Sequence, residues 1–78
     1  MRIEVRLPQW GMGLTEGTVL EWVKSVGDEV AEDDPLVEVE TAKATEYVRA
    51  PAAGALTEIV AGPGTVVPVG ELLAVIEA

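Results

Sequence analysis

The sequence predicts an all-β domain, a flattened barrel or sandwich built from two copies of one strand–turn–strand unit. Three observations carry this. Apolar and polar residues alternate with period two, short β-rich runs are separated by Gly, Pro and Asp, and the chain repeats itself internally. Alternation sends successive side chains to opposite faces of a strand, so each run has one wet face and one face for a core.

In chain order, Ile3, Val5 and Leu7 alternate with Arg2, Glu4 and Arg6, which defines a first strand. After the loop QWGMG, Val19 to Val23 is the next β-rich run. Asp28, Glu29, Glu32, Asp33 and Asp34 then read as a solvated loop. Their spacing lacks the glycine and ligand periodicity of an EF-hand, which disfavours calcium. Ala31 to Asp34 is the one segment resembling a helical turn, and Pro35 opposes helical geometry at Asp34. Val37, Val39 and Thr41 alternate with Glu38 and Glu40, and Tyr47–Val48, Leu56–Val60, Val66–Val67 and Leu72–Ile76 supply further strands. No helix is predicted.

Shifting the chain by 37 positions lays Gly17–Glu40 over Gly54–Glu77 without a gap. Gly17/Gly54, Glu21/Glu58, Val23/Val60, Gly27/Gly64, Val30/Val67, Leu36/Leu73 and Glu40/Glu77 are identical. Trp22 matches Ile59 and is therefore expected in the core. Two such units bury their apolar faces against each other about a pseudo-twofold axis. The first unit ends at Glu40, so residues 41–44 form the turn joining the halves. Neither Ala42 nor Lys43 is Gly or Asn, which predicts a type I turn with negative φ at both centres and Lys43 projecting from the tip.

Composition excludes most chemistries. Seventy-eight residues make one domain, residues 1–78, with a small core. The chain has no His and no Cys, so a Ser/His/Asp or Cys/His machine and a thiolate metal site are impossible. What remains is carboxylates, Tyr47, one serine and a few threonines, from which we assign no catalytic residue and no metal site. Five basic residues against 14 acidic ones give a formal net charge of −9, which repels phosphate backbones and anionic lipid. Neither nucleic acid nor membrane is expected as a partner. No apolar run approaches the roughly 20 residues of a membrane span. MRIEVRLP lacks the apolar core of a signal peptide. A soluble, intracellular setting is the expectation.

Lys43 is one of two lysines, the other being Lys24. In isolation a lysine at a hairpin tip is a solvated surface charge. Its setting argues otherwise, because a carrier needs one primary amine on a rigid turn between small neighbours, and Ala42 and Ala44 meet that demand.

The stretches LPQWGMGLTEGTVLEWVKSVGDEV, VEVETAKA and APAAGALTEIVAGPGTVVPVGELLAVIEA together resemble the lipoyl domain of dihydrolipoamide acyltransferases of 2-oxo acid dehydrogenase complexes. The resemblance covers essentially the whole chain. It implies two four-stranded antiparallel sheets, a barrel-sandwich hybrid, in a non-catalytic carrier. It implies lipoate in amide linkage on Lys43, flanked by Glu40, Thr41, Ala42 and Ala44. It also implies partner recognition by Gln9, Trp10, Gly11, Met12 and Gly13; Glu40 and Glu46 flank the lysine and are candidates to steer a ligase, with wet-face strand residues the equal alternative. The implied partners are a lipoate ligase or lipoyl transferase, the 2-oxo acid dehydrogenase, the acyltransferase core and dihydrolipoamide dehydrogenase. The implied compartment is the cytoplasm, or the mitochondrial matrix in a eukaryote.

This chain departs from the family pattern twice. Ala42 stands where Asp usually precedes the lysine, and Asp33 where glycine is common. Because the repeat partner of Asp33 is Gly70, Asp33 is expected at positive φ. Two alternatives stay open. A biotin carrier of a biotin-dependent carboxylase would share the fold, but that motif sets methionines on both sides of the lysine, whereas Ala42 and Ala44 stand here. An unmodified barrel used as an interaction module would leave Lys43 bare.

Overall fold

The computed structural model describes all 78 residues, and they fold into eight strands with no helix. The strands are β1 (Arg2–Arg6), β2 (Glu16–Trp22), β3 (Glu29–Val30), β4 (Pro35–Glu40), β5 (Thr45–Arg49), β6 (Gly54–Ile59), β7 (Val66–Pro68) and β8 (Leu72–Glu77). They form two four-stranded antiparallel sheets, ordered β1-β8-β6-β3 and β5-β4-β2-β7.

The two sheets are one another's images. The offset of 37 carries β2, β3 and β4 onto β6, β7 and β8, while β1 corresponds to β5 at an offset of 43. Even the irregularities repeat. The register slips between Val19 and Glu21 in β2 and between Leu56 and Glu58 in β6, each a bulge that bends its strand around the core. Loop bonds match as well: Gly27 N–H donates to Leu56 C=O at 2.7 Å, and Gly64 N–H to Val19 C=O at 2.7 Å.

The core is a single cluster of 15 buried residues, all apolar, with Leu36, Leu56, Leu73, Ile76, Val19, Val37 and Val39 the largest fully buried. Leu36 and Leu73, the pair that the repeat aligns, both lie at its centre. No polar side chain is buried, so all the chemistry of the molecule is on its surface.

Trp22 is only half-buried. It packs on the core while its indole N–H donates to Ala61 C=O at 2.7 Å, which satisfies the ring's one donor. Strand β3 lies inside the acidic run that the sequence reading assigns to a loop. Only Val30 of that strand is buried, and the alignment of Val30 with Val67 is the signal that marks it. Asp33 has φ 72°, as its pairing with Gly70 (φ 88°) predicts. Two other carboxylates of the run close turns: Asp28 accepts from Ser25 N–H and Asp34 from Ala31 N–H, both at 2.8 Å. No group of three or more His, Cys, Asp or Glu comes together to hold a metal.

Candidate functional site

The lysine hairpin grows out of the middle of a sheet. Strand β4 is paired on both sides, with β2 and with β5, and its inward residues Leu36, Val37 and Val39 are buried. The β4–β5 ladder ends at the pair Glu40/Thr45, so the four residues between them must reverse the chain. Thr41 N–H donates to Ala44 C=O at 2.8 Å and leaves Ala42 and Lys43 as the two tip residues. Neither has positive φ, in keeping with the predicted turn.

Thr41 is half-buried, whereas Ala42, Lys43 and Ala44 are exposed. The Thr41 hydroxyl donates to Ala44 C=O at 2.8 Å and accepts from Ala44 N–H at 3.1 Å and Lys43 N–H at 3.3 Å. A short side chain thus knits the turn from inside. The two lysines differ in setting: Lys24 Nζ lies 3.8 Å from Asp34, while Lys43 forms no ion pair. Its amine projects free between two methyl side chains. Glu40 and Glu46 are exposed on the flanking strands.

The residues expected to serve partner recognition lie on three depressions, one of which, open and of about 550 Å³, is lined by Gln9, Trp10, Gly11, Met12 and Gly13 together. Gly13 also belongs to a shallow cleft of about 310 Å³ between segment 13–18 and residues 40–42 at the base of the hairpin. Trp10 and Glu46 instead share a groove of about 440 Å³ between β1 and β5, with Arg6, Tyr47 and Arg49. Gln9 folds back on its own loop, its amide donating to Gly11 C=O and to Leu14 C=O at 2.8 Å. Gly11 lies in that bonded loop, and Met12 at its tip is 95% exposed.

Arg6, Tyr47 and Arg49 were not singled out as site residues from sequence. The signal was available: Arg6 and Arg49 are counterparts at the offset of 43, each donating to the carbonyl of a positive-φ residue, Gly70 at 2.8 Å and Asp33 at 3.1 Å.

A pseudo-twofold barrel of two four-stranded sheets with one lysine at the tip of the joining hairpin defines a class of small carrier domains, which hold a single side chain away from a rigid body. The chain belongs to the biotin/lipoyl-attachment family, whose model, described as biotin-requiring enzyme, matches residues 3–76. Across all 78 residues it is 49% identical to the dihydrolipoyllysine-residue succinyltransferase component of the 2-oxoglutarate dehydrogenase complex of Bartonella vinsonii subsp. berkhoffii, and spans 19% of that protein. The lipoyl domain of the 2-oxoglutarate dehydrogenase complex from Azotobacter vinelandii superposes with a TM-score of 0.77 at 36% identity, covering 97% of this chain and 96% of that one. The Kluyveromyces lactis urea carboxylase superposes with a TM-score of 0.85 at 26% identity, covering 99% of this chain and 6% of that one.

The two structural likenesses rank differently by backbone and by sequence. Backbone superposition reports the barrel, which both share; sequence identity reports the side chains that partners read. By that measure the lipoyl reading is better supported than the biotin one.

Proposed function

We propose that this chain is a carrier whose Lys43 holds lipoate in amide linkage, within an acyltransferase of a 2-oxo acid dehydrogenase complex. The observation that carries the reading is Lys43 itself, without an ion pair, at the tip of a braced two-residue turn in a chain 36% identical to a lipoyl domain. The site fits such a group. The amine is exposed, its neighbours are methyl groups, and an amide at Nζ leaves no buried charge behind.

When bound, lipoate supplies the dithiolane that accepts and releases acyl groups and reducing equivalents. The chain's own contribution is mechanical and electrostatic. The barrel keeps the tip off the body of the domain, so a long tether sweeps a bounded volume at high effective concentration. Amide formation removes one positive charge and takes the formal balance from −9 to −10. The partners in this reading are the ligase or transferase that loads Lys43, the 2-oxo acid dehydrogenase, the acyltransferase core and dihydrolipoamide dehydrogenase. The 2-oxoglutarate dehydrogenase relatives support the members of the complex in this set, and the loading enzyme follows from the attachment reading alone.

Intact-mass measurement after co-expression with a lipoate ligase, and separately with a biotin ligase, tests the proposal. A mass gain of one lipoyl group with the first and none with the second is the expected result. Gain only with the biotin ligase would make the domain a biotin carrier, and no gain with either would leave the bare interaction module.

A further inference from the structure

We infer that Thr41 is the positioning residue for Lys43, its hydroxyl holding the turn in the shape that a loading enzyme must recognise. The inference rests on the attachment reading and concerns what makes that site loadable. In an ordinary type I turn the N–H of the fourth residue bonds to the C=O of the first. Here Ala44 N–H does not bond to Thr41 C=O. It bonds to Thr41 Oγ1 at 3.1 Å, and Lys43 N–H joins the same oxygen at 3.3 Å. The hydroxyl proton goes to Ala44 C=O at 2.8 Å, the carbonyl that also accepts Thr41 N–H at 2.8 Å.

A hydroxyl has one proton to give and two lone pairs to accept with. All three are used, and all three are used on the turn. Ala44 is tied to Thr41 through both its N–H and its C=O, which fixes the chain direction on either side of Lys43. No other side chain shares the task. Ala42 and Ala44 end in methyl groups, and Lys43 must leave the turn. The carbonyls of Thr41, Ala42 and Lys43 accept no bond from the chain and are left for a docking enzyme.

The brace is at the surface, so its loss does not threaten the core. Removing the hydroxyl frees two N–H groups to water and lets the tip sample other shapes. An enzyme that binds one shape then meets a smaller competent fraction, and its apparent affinity falls by that fraction. The effect therefore belongs in KM.

The test uses Thr41→Val, which keeps size and β-branching, and Thr41→Ser, which keeps the hydroxyl. Steady-state lipoylation by a lipoate ligase is measured alongside amide hydrogen exchange at Lys43 and Ala44. For Thr41→Val, KM is expected to rise about tenfold, the effect of losing one net hydrogen bond, with kcat unchanged. Exchange at both amides is expected to quicken, and Thr41→Ser to stay within about twofold of wild type. Wild-type rates for Thr41→Val would overturn the inference, as would equal impairment of both variants or a loss confined to kcat. A wild-type chain that takes no lipoate would instead defeat the attachment reading itself, a result distinguishable from the others.

Discussion

Asp33 holds a φ of 72°, a region costly to side chains with a Cβ and least costly to Asn and Asp among them. Its carbonyl receives Arg49 at 3.1 Å and its N–H donates to Ala50 C=O at 2.9 Å, so the surroundings hold the strain in place. Asp33→Val should lose about 1–2 kcal/mol in urea unfolding while Asp33→Gly loses nothing; equal losses would refute a backbone origin. Glu4 shares the wet face of β1 with two arginines. A hydrogen bond from Arg6 at 2.8 Å, followed by the charge of Arg6, holds it below the usual carboxylate range, with Arg2 at 3.5 Å a lesser cause. Because the folded value is depressed, its contribution is present above the unfolded carboxyl pKa, about 4.3. It is lost as pH falls through the folded value. Arg6→Gln should move the Glu4 NMR titration upward, toward the unfolded value, and an unmoved midpoint would contradict the pairing. Asp33 was legible in the sequence because the repeat set it against Gly70. The Glu4–Arg6 pair was legible in part: alternation puts Arg2, Glu4 and Arg6 on one face of β1, but which arginine bonds the carboxylate depends on side-chain conformation.

At the scale of elements, the repeated glycines have two distinct physical causes. Gly27 and Gly64 adopt positive φ, 98° and 86°, with open space around them. Gly17 and Gly54 have no such need and instead sit where strands press close. A Cβ on Gly54 would lie 2.6 Å from Glu77 C=O, and one on Gly17 would lie 2.5 Å from Val39 Cγ1. Backbone cannot step aside as a methyl group can. Gly54→Ala should therefore lose about 2–3 kcal/mol. Gly17→Ala should lose less once Val39 is shortened to Ala, relative to Val39→Ala alone, and a denaturant double-mutant cycle measures that coupling. Additive losses at Gly17 and Val39 would contradict the contact. The lysine hairpin was readable in advance because its strands alternate and its tip lacks glycine. Strand β3 gave no period of its own, having one charged and one buried side chain, and only the alignment of Val30 with Val67 marked it. The hydroxyl brace also escaped the sequence reading: Thr41 was named as a neighbour of Lys43, but which groups its oxygen meets depends on the turn that forms around it.

The molecule as a whole is two sheets closed on an entirely apolar core, with its chemistry confined to the surface. Its duplicated halves explain both the economy of the fold and the position of the site. The pseudo-twofold relates the β4–β5 turn to the place where β1 and β8 meet, with Met1 and Ala78 side by side and Ala78 N–H bonded to Met1 C=O at 2.9 Å. One end of the duplication carries the chain ends and its counterpart carries Lys43. That layout was legible once the repeat was found, because the first copy ends at Glu40 and a new strand begins at Thr45, with residues 41–44 left to turn the chain. The grouping of Trp10 with Glu46, Tyr47 and Arg49 was not, since it depends on β1 and β5 lining one groove without pairing. In the proposed reading the attachment site is set by the geometry of the joining hairpin, not by the mere presence of an amine, and the chain offers its own control in Lys24. Peptide mapping by tandem mass spectrometry after treatment with a lipoate ligase compares the two lysines in one molecule. A lipoyl group is expected on Lys43 alone, with none on Lys24 and none anywhere in Lys43→Arg. Modification of Lys24, or of neither lysine, would contradict that reading.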